Sequence, residues 1–86
     1  MKQFQYTVTD RLGIHARPAG MLAKIAQRYA GTEIAVTCNG QTARATQLMK
    51  MMSLGIRQGS VVTVTAQGPD EDAAIAAMDD FFSSNL

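Results

Sequence analysis

One histidine, His15, is available to this chain for nucleophilic or acid–base work. It stands in the stretch Gly13-Ile14-His15-Ala16-Arg17-Pro18, immediately before a segment with helical periodicity. The first backbone amides of a helix have no internal acceptor and carry partial positive charge, so that end attracts anions. Arg17 adds a permanent cation whose forked donors match phosphate oxygens. An imidazole nitrogen, free amides and a guanidinium therefore converge, and a reversible phosphohistidine requires those parts. The same positive field disfavours imidazolium, so the sequence predicts a neutral His15 with a free lone pair. A phosphoryl group would reach it through a loose transition state governed by positioning and charge.

Other chemistry has less behind it. A hydrolytic role for His15 as general base lacks a second histidine, and no carboxylate is close in sequence to orient the first. Cys38 is the only cysteine, so no internal disulfide can form; with no activating neighbour visible, it reads as a small core residue. On the residues alone, a surface histidine without function and a binding module that exchanges no phosphate both stay open.

The elements that must position His15 follow from periodicity. Phe4, Tyr6 and Val8 alternate with polar residues and predict a half-buried strand. Arg11 to His15 reads as a loop. From Ala16, the spacing of Leu22, Ile25, Ala26 and Tyr29 predicts a helix of about 13 residues with one apolar stripe; Pro18 falls in its first turn, and Gly31 ends the segment. Ile34, Val36 and Cys38 alternate again. Asn39-Gly40 then signals a tight hairpin, with Gln41 to Arg44 as the return strand. Thr46 is positioned to cap a brief helix reaching about Leu54, stopped by Gly55. Val62, Val64 and Ala66 predict a further strand. A last helix opens after Gly68-Pro69, capped by Asp70, with Ala74, Ala77, Met78 and Phe81 facing inward. Asp70-Glu71-Asp72 reads as favourable charge in that helix's first turn.

The order β-α-β-β-α-β-α predicts an open-faced α+β sandwich, a four-stranded antiparallel sheet covered on one side by three helices. At 86 residues the chain fits one domain, 1–86. A net charge of +1 argues against a dedicated nucleic-acid binder. No apolar run approaches the ~20 residues needed to span a membrane. The N-terminal residues lack the apolar stretch of a secretory signal, and the absence of a disulfide agrees with a reducing, cytoplasmic setting.

Two surface features point to protein partners. Arg17, Met21, Lys24 and Arg28 form a stripe on the first helix, either a solvated face or a surface that steers the chain onto acidic partners. In the middle helix Met51 and Leu54 point one way, while Leu48, Met49 and Met52 point another. A helix apolar on two sides is buried all round or offers one face to a partner, a use that suits methionine.

Gly13-Ile14-His15-Ala16-Arg17-Pro18-Ala19 closely resembles the site of the HPr family, the histidine phosphocarriers of the bacterial phosphoenolpyruvate:sugar phosphotransferase system. A second block, Leu48-Met49-Lys50-Met51-Met52-Ser53-Leu54-Gly55 followed by Gln58-Gly59, resembles the family too, so the likeness covers essentially the whole chain. The resemblance implies phosphorylation of His15 on Nδ1 with Arg17 as electrostatic partner, enzyme I as donor, and a sugar-specific enzyme IIA domain as acceptor. It implies a monomeric carrier with no metal or organic cofactor, rather than a turnover enzyme. It also implies a partner surface of Ala16, Gly20, Met21, Lys24 and Arg28 with Leu48, Met49 and Met52, of which Met51 and Leu54 form the buried counterpart. Many HPr proteins of Gram-positive bacteria carry a regulatory serine at the start of the middle helix, the target of an ATP-dependent kinase. The alignment puts Gln47 there, so this chain is expected to lack that switch; Thr46, one residue earlier, points elsewhere and is expected to be engaged as the cap.

Overall fold

A computed structural model describes residues 1–86. Four strands and three helices alternate along it: β1 (Lys2–Thr7), α1 (Ala16–Gln27), β2 (Glu33–Cys38), β3 (Gln41–Arg44), α2 (Leu48–Met52), β4 (Val61–Gln67) and α3 (Glu71–Asn85). The strands form one antiparallel sheet in the order β1-β4-β2-β3. Periodicity had specified the elements but not this order, which places the last strand between the first two.

The period-two pattern puts Ile34, Val36, Cys38, Ala43, Val62, Val64 and Ala66 on one buried face. The intervening positions, among them Gln3, Gln5, Thr37, Thr63 and Thr65, form the open face. Register aligns Phe4 with Val64 and Tyr6 with Val62, and α3 lies over this pair of strands. Phe82 is fully buried there, with edge-on rings at 5.8 Å from Phe4 and 5.6 Å from Tyr6. The inner face of α3 is thus Ala74, Met78, Phe81 and Phe82. Ala77, expected inside, is only half-buried, because the helix turns its aromatic pair toward the sheet. Cys38 is buried in the core, as expected.

Three helix boundaries differ from the sequence reading. Helix α1 ends at Gln27, four residues before Gly31. Beyond it, the Arg28 and Tyr29 amides bond the carbonyls of Ile25 and Ala26 at 3.1 Å, a tightening that is common where helices end. Thr46 does not cap α2: the cap position is Gln47, with no side-chain capping bond. Gln47 Oε1 instead accepts from the Arg44 amide at 3.3 Å, which secures the preceding turn. Helix α2 closes at Met52 rather than Leu54.

Asp70 does occupy the cap position of α3, but its carboxylate makes no capping bond. Its amide donates to Thr32 Oγ1 at 2.9 Å, and Glu71 Oε1 takes the Gly68 amide at 3.3 Å. A hydrogen bond from the N-terminal ammonium and then the Gly68 amide hold the Glu71 carboxyl below its ordinary 4.5. The Asn39-Gly40 turn has positive φ at both residues, 55° and 77°, which links Cys38 to Gln41 in register as the dipeptide predicts.

Candidate functional site

Two sets of hydrogen bonds hold the loop that carries His15. The Val8 amide bonds Ser60 O at 2.9 Å, and the Gly59 amide bonds Val8 O at 2.7 Å. Next, Thr9 and Asp10 both donate their amides to Leu86 O, while Gln58 Nε2 reaches Thr9 O at 3.2 Å. Farther along, the Ile14 amide bonds Ile56 O at 3.3 Å, and the Ile14 side chain is buried. Gly13 lies between these ties with φ of +64°. A Cβ there would stand 2.1 Å from Ile56 O. Only glycine satisfies both the left-handed backbone and the contact.

His15 is therefore delivered to the cap position of α1 in an extended conformation, with φ of −119° and ψ of −170°. Its carbonyl accepts the first helical bond, from the Ala19 amide at 3.0 Å. Its ring makes no capping hydrogen bond and is half-exposed. The amides of Ala16 and Arg17 have no backbone acceptor, and Pro18 has no amide hydrogen to add. Arg17 is exposed and joins none of the three ion pairs. The ring and the unpaired guanidinium thus line one opening, with two free amides in the helix turn between them.

That opening is a cleft of ≈ 200 Å³ lined by Asp10, His15, Arg17, Pro18, Met21, Phe81 and Asn85. Three of these were missed in sequence. Phe81 and Asn85 come from the far end of α3, where Asn85 Nδ2 donates to Phe81 O at 3.1 Å; no local signal ties them to position 15. The sequence reading found no carboxylate close enough along the chain to orient the histidine, yet the turn at Arg11-Leu12 brings Asp10 to the wall of the same cleft. The Asp10 Oδ1 accepts the Leu12 amide at 2.8 Å, and its carbonyl accepts the Gly13 amide at 3.1 Å.

Beside the cleft, α1 packs against α2. Met51 and Leu54 are buried, whereas Leu48, Met49, Met52 and Met21 are 39%, 77%, 38% and 39% exposed. The two-sided helix thus divides between core and solvent as expected. Lys24 and Arg28 are exposed, Ala16 likewise, and Gly20 is half-buried with open space around its Cα. No group of side chains is arranged to hold a metal ion, and no helix is long and apolar enough to cross a membrane.

A family model described as the PTS HPr component phosphorylation site matches residues 2–84. This chain belongs to the HPr family. The phosphocarrier protein HPr of Mycoplasma genitalium is 40% identical over 78 residues, which cover 91% of this chain and 89% of that one. Among solved structures, HPr from Thermoanaerobacter tengcongensis superposes with a TM-score of 0.90 at 36% identity, covering 98% of this chain and 93% of its own; a dimer of that protein is also known. A Mycoplasma histidine-containing phosphocarrier protein gives 0.91 at 32% identity, covering 96% and 93%. The antiparallel sheet and three helices are thus the HPr fold, and the chain is an HPr phosphocarrier of the phosphotransferase system.

The exposure of Met49 and Met52 leads to a sharp expectation. Replacing Met49, which is 77% exposed, with Glu should leave stability within about 0.5 kcal/mol, and replacing Met52, 38% exposed, should cost no more than about 1 kcal/mol. Replacing Met51, which is fully buried, even with Ala should cost about 2–5 kcal/mol. Urea titration of the three variants checks the contrast, and comparable losses at all three positions would contradict the assigned exposure.

Proposed function

We propose that this HPr carries a phosphoryl group on Nδ1 of His15, taken from enzyme I and handed to sugar-specific enzyme IIA domains. The observation that supports this most is the cleft that His15 and Arg17 line together, at a helix start whose Ala16 and Arg17 amides have no backbone acceptor. On acceptance the Nδ1 lone pair of His15 forms the new N–P bond, and the donor's bond to phosphorus breaks and leaves its electron pair on the donor atom. On release the N–P bond breaks, its electron pair returns to Nδ1, and the acceptor's nucleophile forms the new bond to phosphorus. Arg17 and the amides neutralise charge on the equatorial oxygens, where preorganised donors contribute most. The reading takes 1–86 as one carrier domain, a cytoplasmic monomer without a cofactor, and a relay rather than a turnover enzyme.

The docking surface in this reading comprises Ala16, Gly20, Met21, Lys24 and Arg28 with Leu48, Met49 and Met52. Its apolar centre and basic flank suit a brief encounter with acidic partners. Incubation with phosphoenolpyruvate and enzyme I, followed by intact-mass measurement, tests the carrier role. A gain of one acid-labile, alkali-stable phosphoryl group is expected. A chain that takes none is a binding module instead.

Gln47 leads to a further expectation, the absence of serine-kinase control. An amide offers no acceptor hydroxyl, and Gln47 Oε1 is committed to the Arg44 amide. Thr46 is exposed in the turn before α2 and, contrary to the sequence reading, is not the cap; it stands one residue before the position where relatives carry the serine. Addition of the kinase with ATP should leave the intact mass unchanged. Stoichiometric labelling at Thr46 would overturn this.

A further inference from the structure

Asp10 and Arg17 are the only acidic and basic side chains that line the His15 cleft besides the histidine; the other walls are Pro18, Met21, Phe81 and Asn85. A cleft of ≈ 200 Å³ is narrower than the Debye length of ~10 Å at 0.1 M salt. Salt therefore does not screen a charge on one wall from a group held in the middle. Asp10 is also fixed in place, with Oδ1 tied to the Leu12 amide at 2.8 Å and its main chain tied to Leu86 O and the Gly13 amide. It forms no ion pair with Arg17 within 4 Å, so its charge is not cancelled by a direct contact. The carrier reading would place a phosphoryl dianion in this same space.

We infer that Asp10 sets the phosphoryl-transfer potential of His15: its carboxylate opposes the phosphoryl dianion and keeps the phosphorylated state high in free energy. The inference rests on the carrier reading and adds a residue to it. Two opposing requirements meet in a carrier, which must accept phosphate readily and release it readily. Arg17 and the helix amides favour acceptance. A fixed like charge, which makes no hydrogen bond or ion pair with the ring or with Arg17, favours release. The bonds made and broken are those of the transfer already given, and the proton that the donor takes up is balanced by one that the phosphorylated imidazole yields to solvent.

Asp10→Asn separates the charge from the turn. An asparagine side-chain oxygen accepts the same amide two residues on, so the loop keeps its conformation while the cleft loses one negative charge. The fraction phosphorylated is read by intact mass at fixed phosphoenolpyruvate:pyruvate ratios, with catalytic enzyme I. The variant should reach half-phosphorylation at a ratio about three- to tenfold lower than the natural chain, as one unit charge roughly 6 Å from the phosphoryl group implies at the ~80 dielectric of water that fills an open cleft. Raising the salt to ~1 M, where the Debye length is ~3 Å, should shrink the difference. Asp10→Glu should stay close to the natural chain. A purely structural role would lower the melting temperature of Asp10→Asn without moving the midpoint ratio. Equal midpoints, or a midpoint shifted the other way, overturn the inference while the natural chain still takes phosphate. If the natural chain takes none at any ratio, the carrier reading fails, and this inference fails with it.

Discussion

His15→Ala should abolish phosphoryl acceptance and leave the fold standing. The ring is half-exposed, and it makes no capping hydrogen bond. Its backbone contribution, the carbonyl that accepts the Ala19 amide, is unaffected by the substitution. Loss of the imidazole should therefore change stability by no more than about 0.5 kcal/mol, as for exposed positions without a packing or capping role. No other side chain lining the cleft offers a nitrogen nucleophile with an accessible lone pair: Arg17 stays protonated, and Asn85 presents an amide. Incubation with phosphoenolpyruvate and enzyme I should thus yield no added mass, while thermal unfolding monitored by circular dichroism keeps its midpoint. Retained phosphorylation would place the acceptor elsewhere. A collapsed transition would make His15 a structural residue.

Gly13→Ala should do the opposite, harming the fold first and the site through it. The residue sits at φ of +64°, and an added Cβ would lie 2.1 Å from Ile56 O and 2.7 Å from Arg57 Cα. The left-handed backbone costs a non-glycine residue about 1–2 kcal/mol, and a clash with main chain adds about 1–3 kcal/mol, since no flexible side-chain tip can swing away. The expected loss is about 2–5 kcal/mol, a large share of the ~5–15 kcal/mol that stabilises a domain. The relief available is separation of the His15 loop from residues 56–57, which breaks the bond between the Ile14 amide and Ile56 O. Phosphorylation should then slow even below the melting transition. Gly20→Ala serves as the control: Gly20 is helical, with nothing within 4 Å of the new methyl, so it should gain about 0.5–1 kcal/mol. Denaturant titration of both variants checks the pair, and a neutral Gly13→Ala would contradict the close approach.

The elements were legible along the chain, and so was the adjacency of His15 and Arg17 at a helix start. Alternation marked β1, β2 and β4, since in a sheet with one covered face burial has a period of two. Asn39-Gly40 marked the hairpin because two successive positive φ angles leave few residue choices. His15, Ala16 and Arg17 could be placed together because they are neighbours along the chain, and a helix start carries its charge whatever surrounds it. Even the division of the α2 apolar residues into Met51 and Leu54 inside and Leu48, Met49 and Met52 outside agreed with helical geometry and the family likeness.

Features that depend on long-range packing were not legible in this way. Cap positions slipped by a residue because Gln47 found its partner in Arg44 rather than in its own helix. The strand order β1-β4-β2-β3 leaves no trace in periodicity, which reports which face is buried but not which neighbour buries it. The remaining walls of the cleft follow from that order. With β4 paired to β1, α3 lies across both and brings Phe81 and Asn85 beside His15. Asp10 arrives there because Leu86 and residues 56–60, distant in sequence, hold the loop in its folded-back course. A residue's spacing along the chain can propose a nucleophile and its nearest cation. The charge that faces them across a cleft is fixed by hydrogen bonds between segments roughly 50 to 80 residues apart, and those form only once the sheet has assembled.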